Sequence, residues 1–105
     1  MFARVTTYEL EEGRASESIA AFAPAIEGIR SLDGLVDAYF LVERDGSRAV
    51  SLTVWDSVDA MERGRMAATR ARTEAAQAAG AEVMSTYEYE VGVHTAVAAP
   101  ERAVS

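Results

Sequence analysis

Leu35-Val36-Asp37-Ala38-Tyr39-Phe40-Leu41-Val42-Glu43-Arg44-Asp45-Gly46-Ser47-Arg48-Ala49-Val50-Ser51-Leu52-Thr53-Val54-Trp55 is the stretch that decides the fold. Two runs of β-branched and aromatic residues flank Asp45-Gly46. Such residues suit strands, and Asp-Gly is a favoured two-residue hairpin turn. The stretch predicts strands over 35–44 and 49–55, paired antiparallel. Side chains alternate along a strand. Val36, Ala38, Phe40 and Val42 should therefore share one side of the first run, with Leu35, Tyr39 and Leu41 on the other. In the second run Leu52 and Val54 oppose Ser51, Thr53 and Trp55.

Outward from this hairpin the chain continues in both directions as strand and helix. Before it, Asp33-Gly34 is a turn signal, and Ile19, Phe22, Ala23, Ile26 and Ile29 recur at helical spacing. Ser16 can cap that helix and Glu17 favours its first turn. Pro24 lies inside it, which predicts a kink or a helix in two parts. Phe2 to Glu9 reads as a strand and Glu11-Glu12-Gly13 as a solvated loop. After the hairpin, Asp56 or Ser57 caps a second helix that Gly80 stops. Glu82 to Val93 reads as the last strand, with Tyr87, Tyr89 and Val91 alternating against Glu88 and Glu90. His94 to Ser105, with Pro100, reads as a mobile tail or an arm after a domain over 1–93.

The order βαββαβ is the ferredoxin-like plan of an α+β fold, with two helices on one face of a four-stranded antiparallel sheet. A sheet that faces water on one side should alternate apolar and polar. Strand two is apolar on both sides, so the second sheet face is expected to be buried in a homodimer.

With 105 residues, half of them hydrophobic, the chain suits one globular domain. Its net charge of −7 offers no footprint for nucleic acid and would be repelled by an anionic membrane surface. The absence of cysteine excludes thiolate metal sites, disulfides and Cys nucleophiles. Neither a signal-peptide pattern nor a membrane-length apolar run is visible, which fits the cytoplasm. Arginine without lysine, together with many Ala, Glu and Val residues, suggests a GC-rich bacterial genome.

Ser51-Leu52-Thr53-Val54-Trp55-Asp56-Ser57 and the Ala-containing helix after it resemble the antibiotic biosynthesis monooxygenase family. Phe2-Ala3-Arg4-Val5-Thr6, Pro24 in helix one and Leu32-Asp33-Gly34-Leu35 before strand two also look like that family. The resemblance covers roughly residues 2–91. It implies a dimeric α/β barrel with a ligand cavity between each sheet and its own helices. It also implies a cofactor-free monooxygenase acting on a small electron-rich aromatic such as a phenol, quinol or anthrone. The alternative is a non-catalytic dimer that binds a small apolar ligand.

The resemblance makes Trp55 and Ser51 the catalytic candidates, with Thr6, Tyr87 and Tyr89 as further substrate-binding donors. Trp55 also reads as a core residue that ends strand three beneath helix two, and the two readings are compatible. Where the polyketide oxygenases carry an Asn four residues before the Trp, this chain has Ser51. Haem-degrading members use an Asn on strand one, a Trp in helix two and a His further along it. The corresponding regions here hold Thr6 and Thr7, Gly64, and Arg70-Ala71-Arg72-Thr73-Glu74. The chain has no Asn, and its one His is His94. Haem degradation is therefore not expected, and neither is a metal site or any other cofactor. Glu88 and Glu90 share a strand face and read as an exposed edge. Arg63, Arg65, Arg70 and Arg72 read as a solvated helix surface, unless one of them guards a cavity mouth and attracts an anion.

Overall fold

A computed structural model describes residues 1–44 and 46–97. The elements are β1 (Phe2–Glu9), α1 (Ala15–Ile29), β2 (Leu35–Val42), β3 (Arg48–Trp55), α2 (Val58–Ala79) and β4 (Glu82–Glu90). All strands join one antiparallel sheet in the order β2-β3-β1-β4. This is the expected βαββαβ fold. The hairpin also forms as expected, with Val42 opposite Ala49 and the Glu43 N–H donating to the Arg48 carbonyl at 2.9 Å. Its turn includes Asp45, which lies outside the described residues.

Local chemistry sets the helix ends. The Ser57 hydroxyl accepts the Ala60 N–H at 3.1 Å and caps α2. Gly80, at φ 68°, closes it in the left-handed conformation that glycine adopts without a Cβ penalty. At α1 the expectation fails by two residues. Gly13 at φ 77° and the Arg14 N–H bond to the Glu11 carbonyl turn the chain early. Arg14 rather than Ser16 is then the cap, and no side chain bonds there. The helix runs as one element through Pro24, not as two.

The face of α1 also differs from the simple spacing. Phe22 stacks on Phe40 of β2 at 4.0 Å between ring centroids and meets Tyr8 of β1 edge-on at 5.1 Å. These contacts fix the helix's rotation, which buries Ser18, Phe22 and Ile29 and leaves Ile19 outside. Strand two departs for a similar local reason. Its register shifts between Leu35 and Asp37, so Val36 is an extra residue in a bulge. Leu35 consequently packs with Trp55, while Val36 is exposed. That exchanges the two sides expected for them. Beyond the bulge, Phe40 and Val42 share one side as expected, and that side faces the helices.

The core divides into two clusters. Tyr8, Leu10, Phe22, Ala49, Ala75, Ala76 and Ala79 form one. Trp55, Ala60, Met61 and Ala68 form the other, with Phe2, Leu32 and Leu35 packed against it. Between them the sheet presents Arg4, Thr6, Ser51 and Thr53, because β1 and β3 carry polar side chains at alternate positions there. Ala3, Val5, Leu52, Val54, Tyr39, Leu41, Tyr87 and Tyr89 occupy the opposite sheet face. No helix covers that face among the described residues, and Tyr39, Leu41, Tyr87 and Tyr89 are each about half exposed. Residues 94–97, the described part of the tail, are exposed and form no regular element, and 98–105 lie outside the described residues. No helix among the described residues is long and apolar enough to cross a membrane.

Trp55 packs beneath α2 only because position 64 is glycine. A Cβ at Gly64 would stand 2.4 Å from the indole Cη2 and 2.6 Å from Cζ3. Neither the helix backbone nor the fully buried ring can yield cheaply. Gly64→Ala is expected to lower stability by about 1–3 kcal/mol, the usual cost of overpacking. In a Trp55→Phe background the same substitution should cost much less. Urea unfolding of the two single variants and the double variant measures this coupling.

Candidate functional site

A small cavity lies where the two clusters part. Arg4, Thr6, Ser51 and Thr53 line it from the sheet. Phe22, Ala25, Ile26 and Ile29 line it from α1, and Ala68, Ala71 and Arg72 from α2. Its floor is polar because the strand period places those side chains together, and antiparallel pairing sets Thr6 opposite Ser51 and Arg4 opposite Thr53. Its roof is apolar except at Arg72, because both helices otherwise turn Phe22 and small or aliphatic residues toward the sheet. Room for water centres totals about 30 Å³, enough for a couple of molecules. On the outer side, an open groove of about 450 Å³ runs between α1 and α2. The groove shares Ala25, Ile29 and Ala71 with the cavity, so three side chains form the common wall.

The floor is hydrogen-bonded in a definite way. The Tyr8 and Ser51 hydroxyls lie 2.9 Å apart in the buried interior. The hydroxyls of Thr6 and Thr86 are 3.1 Å apart. The Trp55 indole N–H donates to Thr53 Oγ1 at 3.0 Å. That contact uses an acceptor site on Thr53 and leaves its hydroxyl proton for another partner. Burial pushes the Tyr8 phenol above its ordinary value, against the smaller opposing effects of the Ser51 hydroxyl and the Arg72 charge. Burial likewise lowers the pKa of Arg72, while the nearby Tyr8 raises it and the Arg4 charge lowers it further. An arginine remains charged at neutral pH despite such a shift.

Arg4 is the least expected member. Its side chain is only 3 % exposed. Its Nε donates to Glu88 Oε2 at 3.0 Å, and Nη2 lies 2.9 Å from the same oxygen without the alignment of a hydrogen bond. Nη1 and Nη2 have no hydrogen-bond partner among the described residues. From the other side, Arg65 Nη2 lies 2.9 Å from the same Glu88 oxygen.

Among the residues singled out from the sequence, Ser51 and Thr6 meet at the cavity floor. Trp55 does not line the cavity. It is fully buried beneath α2 and reaches the site only through Thr53. Tyr87 and Tyr89 are corrected more strongly. They pair with Val5 and Ala3, so they lie on the opposite sheet face, while Thr86 and Glu88 face the helices. The two-residue strand period leaves no alternative once β4 is in register. His94 is exposed beyond the end of β4, away from the cavity. Of the four helix arginines, Arg72 alone borders the cavity. Sequence reasoning missed Arg4, Tyr8 and Thr53. The available signal was their two-residue spacing from Phe2, Thr6, Ser51 and Trp55, which puts them on the same face of two adjacent strands. Among the described residues no group of three His, Asp or Glu side chains is arranged to hold a metal ion.

The fold recurs in solved structures. A protein from Deinococcus radiodurans described as a candidate antibiotic biosynthesis monooxygenase aligns with a TM-score of 0.72 at 16% identity, over 94% of this chain and 100% of its own. SnoaB, a cofactor-independent oxygenase from Streptomyces nogalater, aligns at 0.66 and 19% identity, over 89% and 94%. The haem-degrader MhuD from Mycobacterium tuberculosis aligns at 0.67 and 20% identity, over 91% and 100%. At these identities the likeness is one of fold. In sequence, the chain is 40% identical over 70 residues to Rv2557, an uncharacterised protein of Mycobacterium tuberculosis. That match takes in 67% of this chain but only 30% of the longer protein. The family model for antibiotic biosynthesis monooxygenases matches residues 1–78. With nearly three quarters of its length matched and the βαββαβ sheet in place, the chain belongs to the antibiotic biosynthesis monooxygenase family.

Proposed function

We propose that this domain binds a small electron-rich aromatic molecule between its sheet and helices and oxygenates it with dioxygen. The observation that carries the reading is the cavity itself, with hydroxyl and guanidinium donors beneath it and a roof that is apolar apart from Arg72. Ligand sites are commonly apolar clefts with a few convergent polar groups. The present space of about 30 Å³ is too small for an aromatic ring, so binding requires α1 and α2 to part along the groove outside. The small side chains Ala25 and Ala71 in the shared wall make that separation inexpensive in lost contact area.

The substrate would supply the electrons. Its anion passes an electron to dioxygen, one oxygen atom joins a ring carbon, and the other leaves as water. The protein's part is to orient the ring, keep bulk water out and stabilise the developing anion with preorganised donors. Thr53 is placed for this by Trp55, which acts as a positioning residue. Ser51 and Tyr8 form the adjoining donor pair.

A second reading is binding without chemistry. It is favoured by the absence of any carboxylate or imidazole among the residues that line the cavity, since proton abstraction then needs another base. In either reading we propose a homodimer formed through the open sheet face. Its exposed Tyr39, Leu41, Tyr87 and Tyr89 give a second copy an apolar surface to cover.

Oxygen uptake with a panel of quinols and anthrones, in metal-free and flavin-free buffer, tests the first reading against the second. Turnover is expected, and Trp55→Phe should reduce it up to about tenfold, the worth of the hydrogen bond that holds Thr53. Ligand binding without oxygen uptake across the panel would leave only the second reading. Sedimentation at micromolar concentration should give a dimer, and a stable monomer would contradict the pairing. The Tyr8 phenol makes a separate prediction. Its pKa in the fold lies above 10.0, so its stabilising contribution is complete below about pH 10 and is lost as pH rises through the folded value. The urea midpoint should therefore fall on the alkaline side of pH 10, and Tyr8→Phe should remove that part of the fall.

A further inference from the structure

The chain carries −7 overall, yet the cavity is bordered by two guanidiniums and by no acidic side chain. Arg4 enters from β1 and Arg72 from α2. The carboxylate that answers Arg4 is Glu88 on β4, and it is divided between two cations. Arg65 contacts the same Glu88 oxygen while also bonding Glu62 through its Nε at 3.1 Å. Among the described residues the ion pairs of Arg4, Arg65 and Arg72 are with Glu62 and Glu88 alone, with the neutral phenol of Tyr8 beside them. One positive charge is left over.

That surplus sits on a buried group with unused donors. Nη1 of Arg4 has neither a hydrogen bond nor an ion-pair contact among the described residues, and Nη2 touches Glu88 without a hydrogen bond, on a side chain 97 % removed from solvent. A buried charged donor without a hydrogen-bond partner bears its full desolvation penalty, so such groups are rare without a function. The Thr53 hydroxyl, its acceptor side occupied by Trp55, adds a donor on the strand position directly opposite Arg4. Guanidinium nitrogens and an oriented hydroxyl together match an ionised oxygen better than they match a neutral ring.

We propose that the cavity contains an oxyanion subsite formed by Arg4 and Thr53 with Arg72 facing them, and that its ligand is an acidic aromatic bound through an ionised phenolic or enolic oxygen. The proposal rests on the reading of this cavity as the ligand site. It also supplies what that site lacks. A phenol or enol entering a cationic, poorly hydrated cavity releases its proton to solvent, and the resulting anion is held by the guanidiniums. The O–H bond breaks without a protein base, its electron pair stays on the ligand oxygen, and the proton leaves as hydronium or to buffer. The two arginines act on the ligand's acidity as a general base would act on its proton.

Binding of 4-nitrophenol, whose anion absorbs visible light, tests this directly, with 4-nitroanisole as the neutral comparison. The native protein should bind the phenolate at least about tenfold more tightly than the phenol, which lowers the bound probe's apparent pKa by about one unit. Arg4→Met should abolish that preference and leave nitroanisole binding within about threefold. Glu88→Gln should change it in the opposite direction, several-fold toward the phenolate, because it removes the carboxylate that partly neutralises Arg4. This variant keeps Arg4 in place, so the test does not depend on Arg4→Met folding, which circular dichroism checks. An unshifted or raised probe pKa, or equal binding of phenolate and nitroanisole, would overturn the subsite while leaving the cavity as a ligand site. Binding of neither probe at millimolar concentration would overturn both.

Discussion

An arginine buried on a central strand constrains everything packed around it. Arg4 lies on β1, between β3 and β4, on the sheet face that both helices cover. Apolar side chains cannot close over a guanidinium without leaving its donors unanswered. The core accordingly forms on either side of it. Tyr8, Phe22 and the alanines near the end of α2 pack at one end, while Trp55, Met61 and Ala68 pack at the other. The cavity is the remainder, and its position follows from the polar stretch of β1 and β3 that separates the clusters.

The clusters hold the polar floor in place. Trp55 stacks under Gly64 and turns its single N–H to Thr53. Tyr8, clamped against Phe22 and in contact with Phe40, sets its hydroxyl against Ser51. Aromatic packing at each end therefore orients a hydroxyl in the middle. This is why a tryptophan that never touches the cavity still bears on what the cavity presents.

Much of the fold was legible because it rests on local rules. The β1 limits, the strand–strand hairpin, the Ser57 cap and the Gly80 stop each follow from a few neighbouring residues. Errors arose where a local rule met a tertiary one. Ser16 was a chemically good cap, but a tight turn at Gly13 started the helix sooner. Ile19 fitted the spacing of an apolar face, but ring stacking by Phe22 rotated it outward. Val36 and Leu35 exchanged sides because a bulge adds a residue that an even alternation has no place for.

The candidate site shows the same division more sharply. The sequence by itself determined the element order, the apolar character of both sides of β2, and the placement of Ser51 with Trp55 on one side of β3, since these depend on periods of two and 3.6. Only the tertiary structure decided that Ser51 meets Tyr8, that Glu88 rather than Tyr87 or Tyr89 faces the helices, and that Arg4 and Arg72 border one cavity. Arg4 and Arg72 are 68 positions apart and Arg4 and Glu88 are 84 apart. Strand register and helix rotation bring them together, and both are settled by how the whole core packs.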